Sequence, residues 1–189
     1  LNKNKLYARH PFTISSSPNQ DTLDFTMKIT GKFTKIASQL KEGEEVIVDG
    51  PFGIFTIEDS KRNLIFIAGG VGITPFIGVI KDHLYLGKQQ NITLLQGVKT
   101  KKDIIFKKEL DEIKEEWFKR FYVLSNEEIS EEDYEQGRVT KEIIKKYVED
   151  VKDSLFYVCG PEPMKDEIIK TLKNIGVKKE NMKIESFFW

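Results

Sequence analysis

The stretch Leu64 to Ile80, LIFIAGGVGITPFIGVI, leaves a chain few ways to fold. Leu64 to Ala68 runs without a polar break, and Gly69, Gly70 and Gly72 follow at once. A short apolar run bounded by glycine reads as a strand buried on both faces. Thr74 suits an N-cap, because its hydroxyl can accept from the free N–H groups of a first helical turn. Pro75 suits the first helical position, where no N–H is needed. The stretch therefore reads as strand, tight turn and helix. Glycines ahead of a helix let a ligand approach the backbone closely. The free N–H groups of a helix start attract phosphate. The stretch is a candidate cradle for a pyrophosphate, with a plain strand-to-helix turn as the alternative. The order is G-G-x-G-x-T-P, which departs from the G-x-G-x-x-G dinucleotide fingerprint.

The same grammar continues to the end of the chain. Apolar runs recur at Ile92 to Leu95, Phe121 to Leu124 and Leu155 to Cys159, and a last strand is expected over Met182 to Phe188. Helical stretches lie between them: Pro75 to Leu86 ended by Gly87, Ile104 to Trp117, Lys141 to Glu149, and Pro163 to Ile175 ended by Gly176. Strands alternating with helices predict an α/β fold, here an open parallel sheet of five strands with helices on both faces. Ligands in such sheets sit beyond the carboxyl ends of the strands.

The amino-terminal part differs in kind. Arg9 to Ser17 reads as a strand, and Pro18 to Asp21 as a turn. Leu23, Phe25, Met27 and Ile29 then alternate with polar residues, the mark of a half-buried, antiparallel strand. Thr34 is a candidate N-cap for a short helix, Glu45 to Val48 and Ile54 to Ile57 are strand-like, and Gly50 to Gly53 turns the chain. The polar stretch Glu58 to Arg62 is the expected boundary.

Lys+Arg and Asp+Glu each number 30, so the chain lacks the basic excess of a general nucleic-acid binder. Cys159 is the single cysteine, which excludes an intramolecular disulfide and a cysteine-only metal site. A reducing compartment is the expectation. No apolar run reaches the roughly 20 residues of a membrane span, and no metal-ligating constellation is evident.

Four stretches carry a resemblance: His10-Pro11-Phe12-Thr13, Gly31-Lys32-Phe33-Thr34, Gly69 to Pro75, and Cys159-Gly160-Pro161. In this order they resemble the ferredoxin–NADP reductase superfamily of flavoprotein electron transferases. The spelling HPFT and the run Val48 to Gly53 are similar to the branch of ferric reductases and NADPH oxidases. The resemblance implies a partial antiparallel FAD-binding barrel over residues 1–58 and an NAD(P)-binding domain over 59–189. It implies that His10, Pro11, Phe12 and Thr13 hold the isoalloxazine, with Thr13 near the flavin N5. His10 stands where the family usually has Arg. Gly31, Phe33 and Thr34 would hold the FAD diphosphate. Gly69, Gly70, Gly72, Thr74 and Pro75 would hold the pyrophosphate of NADH or NADPH, and Cys159, Gly160 and Pro161 would flank the nicotinamide. Lys99 and Ser125 would lie at the adenosine end, where Glu127 and Glu128 favour NADH. Glu185 would approach the flavin edge, and Phe187 or Trp189 would cover its face.

Each position also has a plainer reading. Phe12 suits a core aromatic, Cys159 a small buried hydrophobe, the lysines near Lys99 a solvated turn, and the terminal aromatics an edge strand. By the resemblance, hydride passes from NAD(P)H to FAD. Electrons then go singly to ferric iron, haem or a redox protein. No Ser–His–Asp arrangement competes with that chemistry. A nucleotide-binding electron-transfer or sensor module without its own flavin, and a soluble flavin reductase, are the alternatives. Residues 1–58 make up only part of such a barrel, so the rest is expected in a longer protein, in another chain, or replaced by an altered fold. In the ferric reductase and oxidase branch a haem-bearing membrane segment lies upstream, and a haem segment of the same protein is an expected partner.

Overall fold

A computed structural model describes residues 9–58, 60–129 and 131–185. Its centre is a parallel sheet of β1 (Leu64–Gly69), β2 (Ile92–Val98), β3 (Phe118–Leu124), β4 (Tyr134–Gln136), β5 (Leu155–Cys159) and β6 (Met182–Glu185). The strand order is β4-β3-β2-β1-β5-β6, and every pair is parallel. The sheet has six strands where five are predicted. The additional one, β4, spans three residues at the edge, Tyr134, Glu135 and Gln136, too few to show any periodicity.

The apolar runs become strands because both of their faces are covered. Leu64, Phe66 and Ala68 pack with Phe76, Ile77 and Ile80 of α2 (Thr74–Leu86) and with Leu110 of α3 (Lys107–Glu112). Ile65 and Ile67 point the other way, onto Ile143 and Ile144 of α4 (Lys141–Tyr147) and Ile168 and Leu172 of α5 (Glu162–Asn174). Each such side chain contributes roughly 1.5–3 kcal/mol by leaving water. Gly87 and Gly176, at φ +63° and +89°, stop α2 and α5 where the sequence predicts. The helix expected over 104–117 is shorter. It opens after Phe106, at φ +60°, and ends at Glu112, while β3 starts at Phe118 and not at Phe121.

Before Arg62 the expected strands are reduced, among the described residues, to an isolated antiparallel bridge, Ile14 to Phe25, beside α1 (Lys32–Ala37). Among the described residues, Glu45 to Val48 and Ile54 to Ile57 form no ladder. Ile47 is 100% and Ile54 97% exposed, and Phe52 in the turn between them 82%, whereas Phe55 and Ile57 pack on the core of the sheet region. The segment is nevertheless tied to the sheet region. Gly78 of α2 lets the backbone of Ser16 pass so close that a Cβ would lie 2.9 Å from the Ser16 carbonyl oxygen. The Asn19 amide donates to Asp82 at 2.7 Å. Phe55 packs on Phe76 and Tyr157, and the Tyr157 hydroxyl accepts from the Glu58 N–H at 2.8 Å. Among the described residues no helix is long and apolar enough to cross a membrane.

Candidate functional site

The chain begins the sheet in its middle. From β1 it walks outward through β2 and β3 to β4, then returns to lay β5 on the other side of β1. Strand order therefore reverses between β1 and β5, where an open α/β sheet leaves a crevice at its carboxyl edge. The two glycine motifs meet there. Ala68 pairs with Cys159, so Gly69 to Ile73 and Cys159 to Pro161 leave adjacent strands side by side.

Their backbones touch. A Cβ on Gly72 would overlap the Cys159 carbonyl and lie 2.9 Å from the Gly160 nitrogen. A Cβ on Gly160 would stand 3.0 Å from the Gly69 Cα and nitrogen. One on Gly69 would strike Pro161 and the Met164 sulfur. Gly70 differs: at φ +53° it starts the 3-10 turn Gly70–Ile73, and a Cβ there meets nothing within 4 Å. Gly70 thus presents bare backbone to open space, the kind of surface a diphosphate can approach. The helix starts one residue earlier than predicted. Thr74 is its first residue rather than its N-cap and is buried, Ile73 takes the cap position, and Pro75 is second.

Cys159 is fully buried at the end of β5. Burial pushes its thiol up to about 12, the Glu185 carboxylate adds to that, and the Lys165 ammonium opposes it. The sulfur is therefore a protonated thiol at neutral pH, with no thiolate for nucleophilic chemistry. Glu185 pairs with Cys159 across β5 and β6. Phe187 and Trp189 lie outside the described residues.

Along the same edge, Lys99 and Ser125 follow β2 and β3. The Ser125 N–H donates to the Val98 carbonyl at 3.1 Å and the Asn126 N–H to that of Lys99 at 2.9 Å. Beside them Glu127 accepts from the Lys101 N–H at 2.7 Å, and the Lys101 ammonium donates to both Glu131 oxygens at 2.7 and 2.9 Å.

The amino-terminal motifs also meet each other. The His10 ring lies 4.0 Å from that of Phe33, and Phe12 stacks on Phe33 at 5.7 Å and 25°. Pro11 is exposed and Thr13 half-buried. Gly31, and not Thr34, occupies the cap of α1. Thr34 sits at the third helical position, where its hydroxyl accepts from the Thr30 and Gly31 N–H groups at 3.0 and 3.1 Å. A Cβ on Gly31 would meet nothing within 4 Å, so backbone is open there too.

Sequence reasoning missed Lys165. Its side chain is 2% exposed, and its ammonium is 2.9 Å from a Glu162 oxygen. The signal was available: Lys165, Ile168 and Leu172 fall at i, i+3 and i+7 on the buried face of α5.

The oxidoreductase NAD-binding domain family matches residues 66–170. The chain is 30% identical over 165 residues to a component of the Na(+)-translocating NADH-quinone reductase of Neisseria meningitidis, covering 83% of this chain and 40% of the relative. It is 30% identical over 155 residues to the same component in Yersinia pestis, covering 78% and 38%. The chain thus spans about two-fifths of the length of these curated relatives. Its structure is similar to the flavohem-like FAD/NAD-binding domain of nitric oxide dioxygenase from Vibrio cholerae. The TM-score is 0.82 at 22% identity, over 92% of this chain and 75% of that one. The CS-b5R domains of human Ncb5or in the NAD+ form match with TM-score 0.76 at 25% identity, over 93% and 55%. A ferredoxin NADP+ reductase from Neisseria gonorrhoeae with bound FAD and NADP matches with TM-score 0.76 at 18% identity, over 94% and 79%.

Proposed function

The chain belongs to the oxidoreductase NAD-binding domain family, and on that premise we propose that it takes reducing equivalents from NADH and passes them through FAD to a one-electron acceptor. The observation that carries the reading is the pair of glycine loops packed backbone to backbone where strand order reverses. When bound, NADH supplies a hydride, and FAD accepts it and releases electrons singly.

The chain's own residues bind and orient. Gly69, Gly70 and Gly72 present bare backbone to the coenzyme diphosphate, and Thr74 and Pro75 fix the start of α2 behind them. Cys159, Gly160 and Pro161 form the floor for the nicotinamide. The thiol acts there as a small buried group, and Thr13 and Glu185 face the reacting rings. His10, Pro11, Phe12 and Thr13 hold the isoalloxazine. Gly31, Phe33 and Thr34 hold the FAD diphosphate, supported by the contact of Phe12 and His10 with Phe33. Phe187 or Trp189 covers the flavin. At the adenosine end lie Lys99 and Ser125. There the Lys101 ammonium is already neutralised by Glu131, and Glu127 adds a carboxylate. A 2′-phosphate would meet repulsion, which favours NADH over NADPH. The acceptor is ferric iron, a haem or a redox protein, in the setting of a membrane-face electron-transfer system.

A second reading, a nucleotide-binding module without its own flavin, is favoured by the exposure of Ile47, Phe52 and Ile54. One experiment separates the two. The chain is reconstituted with FAD, desalted, and mixed anaerobically with NADH and separately with NADPH while the visible spectrum is recorded. A retained flavin spectrum that bleaches with NADH supports the reductase. Loss of all flavin on desalting, with NADH still bound, supports the flavinless module.

A further inference from the structure

The stretch from Phe55 to Asn63 joins residues 9–58 to the sheet, and a polar junction of this kind is ordinarily where a chain bends. Here its described residues are held from outside. The hydroxyl of Tyr157, a wholly buried side chain, accepts from the Glu58 N–H at 2.8 Å. The Gln90 amide nitrogen donates twice to the junction, to the Ser60 carbonyl at 2.6 Å and the Arg62 carbonyl at 2.8 Å. The oxygen of the same amide lies 3.4 Å from His83 Nε2 on α2. Arg62 Nη1 donates to Asn181 Oδ1 at 2.8 Å, and the Asn181 amide donates in turn to the Lys152 carbonyl at 3.0 Å. The Asn63 carbonyl accepts from the Leu155 N–H of β5 at 2.9 Å. Glu58, Ser60, Arg62 and Asn63 lie outside helices and strands, so bending the junction would strand backbone donors and acceptors. At its start, Phe55 packs on Phe76 and Tyr157. Those two residues belong to the elements that carry the glycine loops. Phe76 follows Thr74 by two positions on α2, and Tyr157 precedes Cys159 by two on β5. Residues 9–58 also touch α2 at Gly78 and Asp82. One attachment leaves a pivot, and the clamped junction supplies the second that removes it.

We propose that Tyr157 and Gln90 are positioning residues for hydride transfer. Through the junction they hold the flavin half and the nicotinamide crevice in one orientation, so that the coenzyme reaches the flavin without rotation of one half on the other. The inference rests on the reading that residues 9–58 hold FAD and the crevice holds NADH. The step they serve moves one hydrogen with both bonding electrons from the nicotinamide C4 to the flavin N5, which oxidises the coenzyme and reduces the flavin. Neither residue touches the reacting atoms. Each acts through backbone groups of Glu58, Ser60 and Arg62.

The test compares the full chain, loaded with FAD, with Tyr157→Phe and Gln90→Met. Tyr157→Phe keeps the ring against Phe55 and Phe66 and removes only the acceptor of the Glu58 N–H. Gln90→Met keeps the length of the side chain and removes both donations. The first readout is hydrogen exchange at the Glu58 amide. It is expected to be protected in wild type and to exchange about fivefold faster in Tyr157→Phe, the scale of one lost hydrogen bond. The second is anaerobic stopped-flow reduction of the flavin by NADH. The limiting rate is expected to fall about ten- to a hundredfold in both variants, the scale of a misplacement of about 1 Å, while the NADH dissociation constant stays within about twofold. A purely structural role would lower the urea midpoint and leave the limiting rate of the folded protein alone. A limiting rate unchanged in Tyr157→Phe, with FAD and NADH still bound, overturns the inference and leaves the proposed function standing. A Glu58 amide as open in wild type as in Tyr157→Phe overturns it equally. If Gln90→Met does not fold, Tyr157→Phe decides alone. Wild-type chain that retains no FAD, or binds no NADH, overturns the inference together with the reading on which it rests.

Discussion

Gly70 and Gly72 stand two residues apart and are glycine for different reasons. At Gly72 the backbone hand is ordinary, and the constraint is the Cys159 carbonyl where a Cβ would sit. At Gly70 the space is open, and the constraint is the left-handed φ of +53°. Gly72→Ala must push one loop off the other and is expected to cost about 3 kcal/mol, the upper range for overpacking against atoms that cannot swing aside. Gly70→Ala bears only the left-handed penalty of about 1–2 kcal/mol. Its new methyl faces the proposed diphosphate, so NADH binding should fall further than stability does. Urea denaturation and NADH titration of both variants check this, and equal stability losses would contradict the assignment. The Cys159 thiol gives a second residue-scale prediction. With its ionisation pushed up to about 12 by burial, and the sulfur enclosed, iodoacetamide at pH 8 should label it far more slowly in the folded chain than in urea. Fast labelling of the native protein would mean that the end of β5 opens.

Among the elements, α3, β3 and β4 show what the sequence carries and what it hides. The helix expected over 104–117 rests on an apolar spacing that also fits the observed arrangement, in which Ile105, Phe106 and Ile113 flank the short α3 and pack on the core. Beside its end stands a polar knot without sequence periodicity. Asp111 accepts from Arg120 Nε at 2.6 Å, from the Tyr122 hydroxyl at 2.8 Å, and from Lys107. β4 was illegible because three residues are too few to show a period, whereas Lys165 was legible only through its place in the i, i+3, i+7 pattern with Ile168 and Leu172. The buried strands were legible because sandwiching between two helix layers requires continuous apolar runs. The glycine loops were legible as a site, but their packing against each other was not, since that contact joins residues about 90 positions apart. The Asp111 knot predicts a pH effect. Burial disfavours the charged carboxylate and pushes its pKa up, but the bonds from Lys107, Arg120 and Tyr122 outweigh that and hold the carboxyl below its usual value. A depressed folded-state value contributes stability above the unfolded value near 3.8, lost as pH falls through the folded value. Asp111→Asn should therefore lose about 2 kcal/mol at pH 7, and its deficit against wild type should shrink as the pH drops below about 4. A deficit that stays constant with pH would show that the carboxylate charge plays no part.

At the scale of the whole molecule the chain joins two regions of different completeness. The sheet region buries its apolar side chains on both faces and satisfies its strands. Residues 9–58 hold one β bridge, keep Ile47, Phe52 and Ile54 in solvent, and rest on α2 through Gly78, Asp82 and Phe76. Backbone amides without ladder partners exchange with solvent through small local openings, whereas those of a buried sheet wait for cooperative unfolding. Hydrogen exchange should therefore divide the chain sharply: β1, β2 and β5 protected, and residues 45–54 exchanged at the earliest times. The flavin proposal adds a directional expectation. Ordering the His10–Phe33 and Phe12–Phe33 contacts around a bound isoalloxazine and diphosphate should slow exchange over residues 12–14 and 31–36 when FAD is added. NADH should protect 69–74 and 159–162. Protection by FAD at the amino-terminal motifs would make residues 9–58 half of a working reductase. Protection by NADH alone would assign the catalytic work of this chain to its sheet and leave the flavin to a partner.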